Sequence, residues 1–137
     1  MGIILDADVI IADERGVFDL RKFFRVHAEE EFGIAAITAA EILHGVERAT
    51  GAHHARRKQH VAEVLGAVAS LPYTVETSAI HARLWAELER AGTMIGPYDL
   101  IVAATAIEKG FAVATFNQKH FEKVNGLAVI VPGLRSA

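Results

Sequence analysis

Short apolar runs alternating with helical stripes are the feature that most constrains how this chain folds. Ile3-Ile4-Leu5 and residues 33–37, 73–75, 111–115 and 128–131 each read as a strand. Between them, apolar residues recur at helical spacing. Ile42, Leu43 and Val46 form one stripe, and Val61, Val64, Leu65 and Val68 a second. Ile80, Leu84, Leu88 and Ala91 form a third, and Leu100, Ala103, Ala104 and Ile107 a fourth. Strands separated by helices need crossover connections. The pattern therefore predicts an α/β fold with a mostly parallel sheet covered on both faces. Trp85 lies beside the third stripe and is expected to pack in or just under the surface. A length of 137 residues predicts a single domain over 1–137 with one sizeable core.

Composition removes several functional classes. Charged residues at 23% and only 3 prolines argue against disorder. Cysteine is absent, which excludes disulfides, a thiol nucleophile and Cys-based metal sites. No apolar run is long enough to span a bilayer, and Asp6 interrupts the first one, so neither a membrane span nor a signal peptide is expected. These features together predict a cytoplasmic protein. The formal net charge of −3 gives no hint of a nucleic-acid binder.

In an open parallel sheet, ligands gather beyond the carboxyl ends of the strands. Asp6 follows the first strand directly, with Asp8 two residues on. Glu41 falls in the first turn of a helix expected to begin at Thr38, and Asp99 in the first turn of one introduced by Gly96-Pro97-Tyr98. Asn117 and His120 follow the fourth strand. Taken singly, Thr38 and Glu41 match a capping box, Asp99 complements a helix dipole, and Asn117 shapes a turn. Asp6 resists such a reading, because an unpaired carboxylate closing an apolar strand is costly. Taken together, carboxylates converging on one sheet edge repel one another, and Mg²⁺ or Mn²⁺ is the usual remedy. Two such ions about 3.5–4 Å apart activate a water and stabilise a leaving oxygen in phosphodiester cleavage.

These pieces resemble the PIN-domain family, and within it the VapC-type toxins of toxin–antitoxin pairs. The matching segments are Ile4-Leu5-Asp6-Ala7-Asp8-Val9-Ile10, Thr38-Ala39-Ala40-Glu41-Ile42, Ile95-Gly96-Pro97-Tyr98-Asp99-Leu100-Ile101-Val102-Ala103-Ala104-Thr105-Ala106, and Thr115-Phe116-Asn117 leading to His120-Phe121. The resemblance implies a three-layer α/β/α domain and metal-dependent endoribonuclease activity, with Mg²⁺ or Mn²⁺ as cofactor. Asp6, Glu41 and Asp99 match the family's core acids, and the catalytic and metal-binding roles are carried onto them. Asp8 and Asn117 are auxiliary candidates. His120 departs from the pattern, since many relatives have an Asp there. The helix N-termini beside Glu41 and Asp99 are expected to keep both carboxylates ionised. The resemblance also implies an RNA substrate, a homodimer and a VapB-like antitoxin whose tail covers the acidic groove.

RNA requires positive charge. Residues 48–60 contain Arg48, Arg56, Arg57 and Lys58 and no acid. They are the expected RNA-binding segment, with a solvated helical face as the plainer reading. His53, His54 and His60 match no zinc spacing. Leu20, Phe23, Phe24 and Val26, within residues 19–32, offer apolar surface for a protein partner or for the core. Two rival readings stand beside the nuclease. One is a haloacid-dehalogenase-type phosphatase, suggested by Asp6-Ala7-Asp8. The other is a PIN-like RNA- or protein-binding module, weak or inactive as an enzyme because of His120.

Overall fold

The computed structural model describes residues 1–134. Its strands are β1 (Gly2–Leu5), β2 (Glu31–Ala35), β3 (Ala69–Leu71), β4 (Ala112–Ala114) and β5 (Val129–Ile130). They form one sheet in the order β3-β2-β1-β4-β5, and every pairing is parallel. The helices are α1 (Ala7–Glu14), α2 (Leu20–Val26), α3 (Ala36–Arg48), α4 (Gly51–Ala67), α5 (Val75–Ala91), α6 (Pro97–Lys109) and α7 (Gln118–Phe121).

The period-two alternation of a strand explains the layering. Ile3, Leu5, Ile34 and Ala114 join a core built with Val9 and Ile10 of α1, Phe23 of α2, Ile42 and Val46 of α3, and Val61 and Val64 of α4. Ile4, Ala35 and Val113 point the other way, into a core with Leu84 and Leu88 of α5, Leu100, Val102, Ala103, Ala104 and Ala106 of α6, and Phe121 of α7. The expected three layers are therefore present. All four residues of β1 are buried, which is why that strand reads as an unbroken apolar run.

Several local expectations are corrected. The third strand lies at Ala69–Leu71, not at 73–75. Thr74 instead caps α5 in a reciprocal box with Thr77, and Val75 starts that helix. The second strand ends at Ala35, and α3 starts at Ala36, so Ile37 is helical. Glu41 therefore sits in the second turn, too deep to close a capping box at Thr38. Thr38 is fully buried, and its hydroxyl has no hydrogen-bond partner among the described residues. Val68 lies just beyond the end of α4. Trp85 is 49% exposed and stacks on His81 at 5.6 Å, so it is a surface residue. α1 and α2 were not anticipated as helices. α5 and α6 both stop at a left-handed glycine, Gly92 (φ 68°) and Gly110 (φ 69°).

The strand order fixes where chemistry can occur. Connections leave β1 toward β2 on one side, while β4 pairs on the other, so a crevice opens beyond the carboxyl ends of β1 and β4. Among the described residues, no helix is long and apolar enough to cross a membrane.

Candidate active site

Asp6 closes β1 at that crevice and is the N-cap of α1. One carboxylate oxygen accepts from the Ala7 N–H at 2.9 Å. The other accepts from the Thr115 hydroxyl at 2.8 Å. Thr115 is the residue after β4, so this bond joins the ends of the neighbouring strands β1 and β4 at the switch point. The same hydroxyl oxygen accepts from the Asn117 N–H at 2.9 Å and lies 3.3 Å from Asp8. Asp8 accepts from the Phe116 N–H at 3.1 Å. Thr115 is thus the side chain the sequence reading missed as a site residue. The signal was present: it is the first polar residue after a buried apolar strand.

Asp6 is 6% exposed. Burial, reinforced by the Asp8 charge and opposed by the Thr115 hydrogen bond, pushes its carboxyl up to about 7, with Asp99 adding to the rise. Burial also raises Asp8, against the hydrogen bonds from Phe116 and Thr115. Glu41 is raised by burial and then by the charges of Asp99 and Asp8. Glu41 lies in the second turn of α3, past the first turn where a helix N-terminus favours a carboxylate, and burial and the neighbouring acids move it in the opposite direction.

Asp99 lies in the first turn of α6, where Pro97 leaves no N–H to satisfy. His120 Nδ1 is 3.0 Å from its carboxylate and 2.8 Å from the Asn117 carboxamide nitrogen. One ring nitrogen cannot accept from that amide while donating to Asp99. A proton on Nδ1 therefore goes with the Asn117 oxygen turned toward the ring. His120, itself held by Asn117, stands against Asp99.

Asp8 and Asp99 thus act on both Asp6 and Glu41, with hydroxyl, amide and imidazole groups as neighbours of the set. Among the described residues, no three His, Asp or Glu side chains are already gathered into a metal cage. The set is open and self-repelling. Its all-oxygen donors and raised carboxyls are what a hard divalent cation would relieve.

The expected RNA-binding cations divide into two groups. Glu14 on α1 has a side chain only 7% exposed, and it pairs with Arg57 at 3.4 Å and Arg56 at 3.8 Å. Arg57 also donates to the Gly45 carbonyl, and Arg56 lies 2.7 Å from His53 Nδ1. Beside them His60 meets Asp13 at 2.7 Å. These contacts join α4 to α1, most closely through Arg57, while the Arg56 side chain stays 62% exposed. Arg48 and Lys58 are exposed. Leu20 and Phe23 are buried, and Phe24 packs on Phe32. Only Val26 of that set, 68% exposed, remains as apolar surface.

The sheet order, the switch-point acids and the Asp99 helix define a PIN-type α/β/α domain. The PIN-domain sequence model matches residues 3–127, and the chain belongs to that family. It is similar to Ribonuclease VapC1 of Rickettsia felis, at 31% identity over 131 residues, covering 95% of this chain and 96% of that protein. It is 30% identical over 96 residues to the tRNA(fMet)-specific endonuclease VapC of Salmonella typhimurium, covering 70% and 71% of the two chains. The solved DNA-bound VapBC from Salmonella typhimurium superposes with a TM-score of 0.85 at 26% identity, covering 95% and 97%.

Proposed function

We propose that this protein is a metal-dependent endoribonuclease toxin, paired with a VapB-like antitoxin and acting as a homodimer. The observation that carries the reading is the acidic set at the switch point: Asp6 and Asp8 held by Thr115, facing Asp99 and Glu41. The names of its relatives add to it. Rickettsia felis VapC1 is a ribonuclease, and the Salmonella structure is a VapBC assembly.

Asp6, Glu41 and Asp99 would hold Mg²⁺ or Mn²⁺, with Asp8 beside them. When bound, such an ion offsets carboxylate charge, acidifies water and stabilises the leaving oxygen of phosphodiester hydrolysis. The chain's own residues do the positioning. Thr115 and Ala7 fix both oxygens of Asp6. Phe116 N–H orients Asp8, and His120 with Asn117 orients Asp99. The Thr115 hydroxyl is committed to Asp6, and the attacking group in this reading is water. The Asp-x-Asp phosphatase reading leaves Glu41 and Asp99 without a role.

The test is cleavage of total RNA with Mg²⁺ or Mn²⁺, with and without EDTA, followed by mapping of the product ends. Cleavage that EDTA stops, and that Asp6→Asn and Asp99→Asn abolish in folded protein, supports the assignment. Full activity of a folded Asp6→Asn variant refutes it.

A further inference from the structure

We propose that the groove between α2 and the segment after β5 carries the RNA strand next to the cleavage site, with Arg21, Lys22 and Arg25 contacting its phosphates. This rests on the ribonuclease reading above. The groove encloses about 570 Å³, with Phe18, Asp19, Lys22 and Val26 on one wall and Ile130 and Leu134 on the other; Arg21 and Arg25 stand on α2 beside it, outside that lining. It opens at the carboxyl end of β5, the sheet edge that also bears Asp6. A packing contact links the two sites. The Phe18 ring meets Phe116 edge-on at 5.6 Å, and the Phe116 N–H holds Asp8.

An RNA with its scissile phosphate over the acidic cluster places flanking phosphates on adjoining surface. That surface must offer cations not already paired. In the helical hairpin, Glu14 and the Gly45 carbonyl hold Arg57, and Glu14 also draws on Arg56. Arg21, Lys22 and Arg25 are all exposed, and no ion pair engages any of them among the described residues. The acid nearest them in sequence, Asp19, caps α2 by accepting from the Lys22 N–H at 3.1 Å. The apolar wall suits the faces of unstacked bases. A positively charged helix over an apolar floor, beside a phosphodiester-cleaving site, fits single-stranded RNA.

The experiment measures binding of a short fluorescein-labelled single-stranded RNA of mixed sequence to the full chain carrying Asp99→Asn, across a salt series. Adding Arg21→Gln/Lys22→Gln/Arg25→Gln should lower the slope of log affinity against log salt by about 0.7 per lost contact, near 2 in all. In the active chain, the same triple change should raise KM for RNA and leave kcat in place. An Arg48→Gln/Lys58→Gln variant should keep the parent slope. An unchanged slope in the triple variant overturns the proposal, as does an equal loss in the Arg48/Lys58 variant. Displacement of the labelled RNA by poly-glutamate as readily as by unlabelled RNA also overturns it, and assigns the groove to an acidic peptide. If the active chain cuts RNA and the triple variant keeps its KM, the groove assignment falls and the ribonuclease reading stands. If the active chain cuts no RNA but the slope still falls, the ribonuclease reading fails and the groove remains an RNA site.

Discussion

Replacing Asp6 with Asn should make the metal-free protein more stable while abolishing its activity. Asp6 rises from 3.8 to about 7 on folding, through burial and the neighbouring Asp8 charge. The folded state therefore holds this proton more tightly than the unfolded state. The favourable contribution is complete below the unfolded value and is lost as pH rises toward the folded one. Above that window, keeping the carboxylate charged in place costs on the order of 4 kcal/mol, at about 1.36 kcal/mol per pKa unit. Asn removes the charge and can keep both contacts. Its oxygen accepts from the Ala7 N–H as an equally good cap, and its amide donates to the Thr115 oxygen. The freed Thr115 proton can then turn to Asp8, 3.3 Å away. Urea unfolding in EDTA should place the Asp6→Asn midpoint roughly 2 M above the parent at pH 8, taking a slope of about 2 kcal/mol per M. At pH 4 the two midpoints should nearly coincide. Mg²⁺ should then stabilise the parent at pH 8 and not the variant. A variant less stable than the parent at pH 8, or a gain equal at both pH values, refutes the electrostatic account of the site.

Thr115→Val removes the hydroxyl that serves Asp6 and Asn117. It should cost about 1–3 kcal/mol in a thermal melt and raise the metal concentration needed for half-maximal cleavage, with Thr115→Ser restoring both. Arg57→Met leaves the buried Glu14 with only the longer Arg56 contact. It should cost about 1–2 kcal/mol by chemical denaturation and leave the salt slope of RNA binding unchanged. Acrylamide should quench Trp85 readily in dilute protein, and shielding that grows with protein concentration would report a second copy covering that face of α5.

The layering and the acidic cluster were legible because both depend on short-range pattern. An apolar run ending in Asp6, and a Pro97-led helix carrying Asp99 in its first turn, each announce a strand-to-helix junction in a few residues. What the sequence hid depends on tertiary partners. Ala35, Ala36 and Ile37 carry no capping side chain, so nothing local shows that α3 begins before Thr38. Arg57 looks like a free cation in a run without acids, because its partner Glu14 lies 43 residues away. Trp85 followed the average burial of its residue type, while α5 turns it outward to stack on His81. Tyr73 and Val75 have strand-like side chains, but the reciprocal Thr74–Thr77 cap decides that the helix starts there.

The bond from Thr115 to Asp6 joins residues 109 positions apart. It has a consequence for the order in which the molecule is made. The Asp6 carboxylate is synthesised first, and the hydroxyl that fixes it, with the His120 that stands beside Asp99, follows more than a hundred residues later. A nascent chain stopped anywhere before β4 has acidic residues but no assembled centre. If the ribonuclease reading holds, the cell making this enzyme meets it as a cutting agent only after β4 and the residues that follow it have been released and folded.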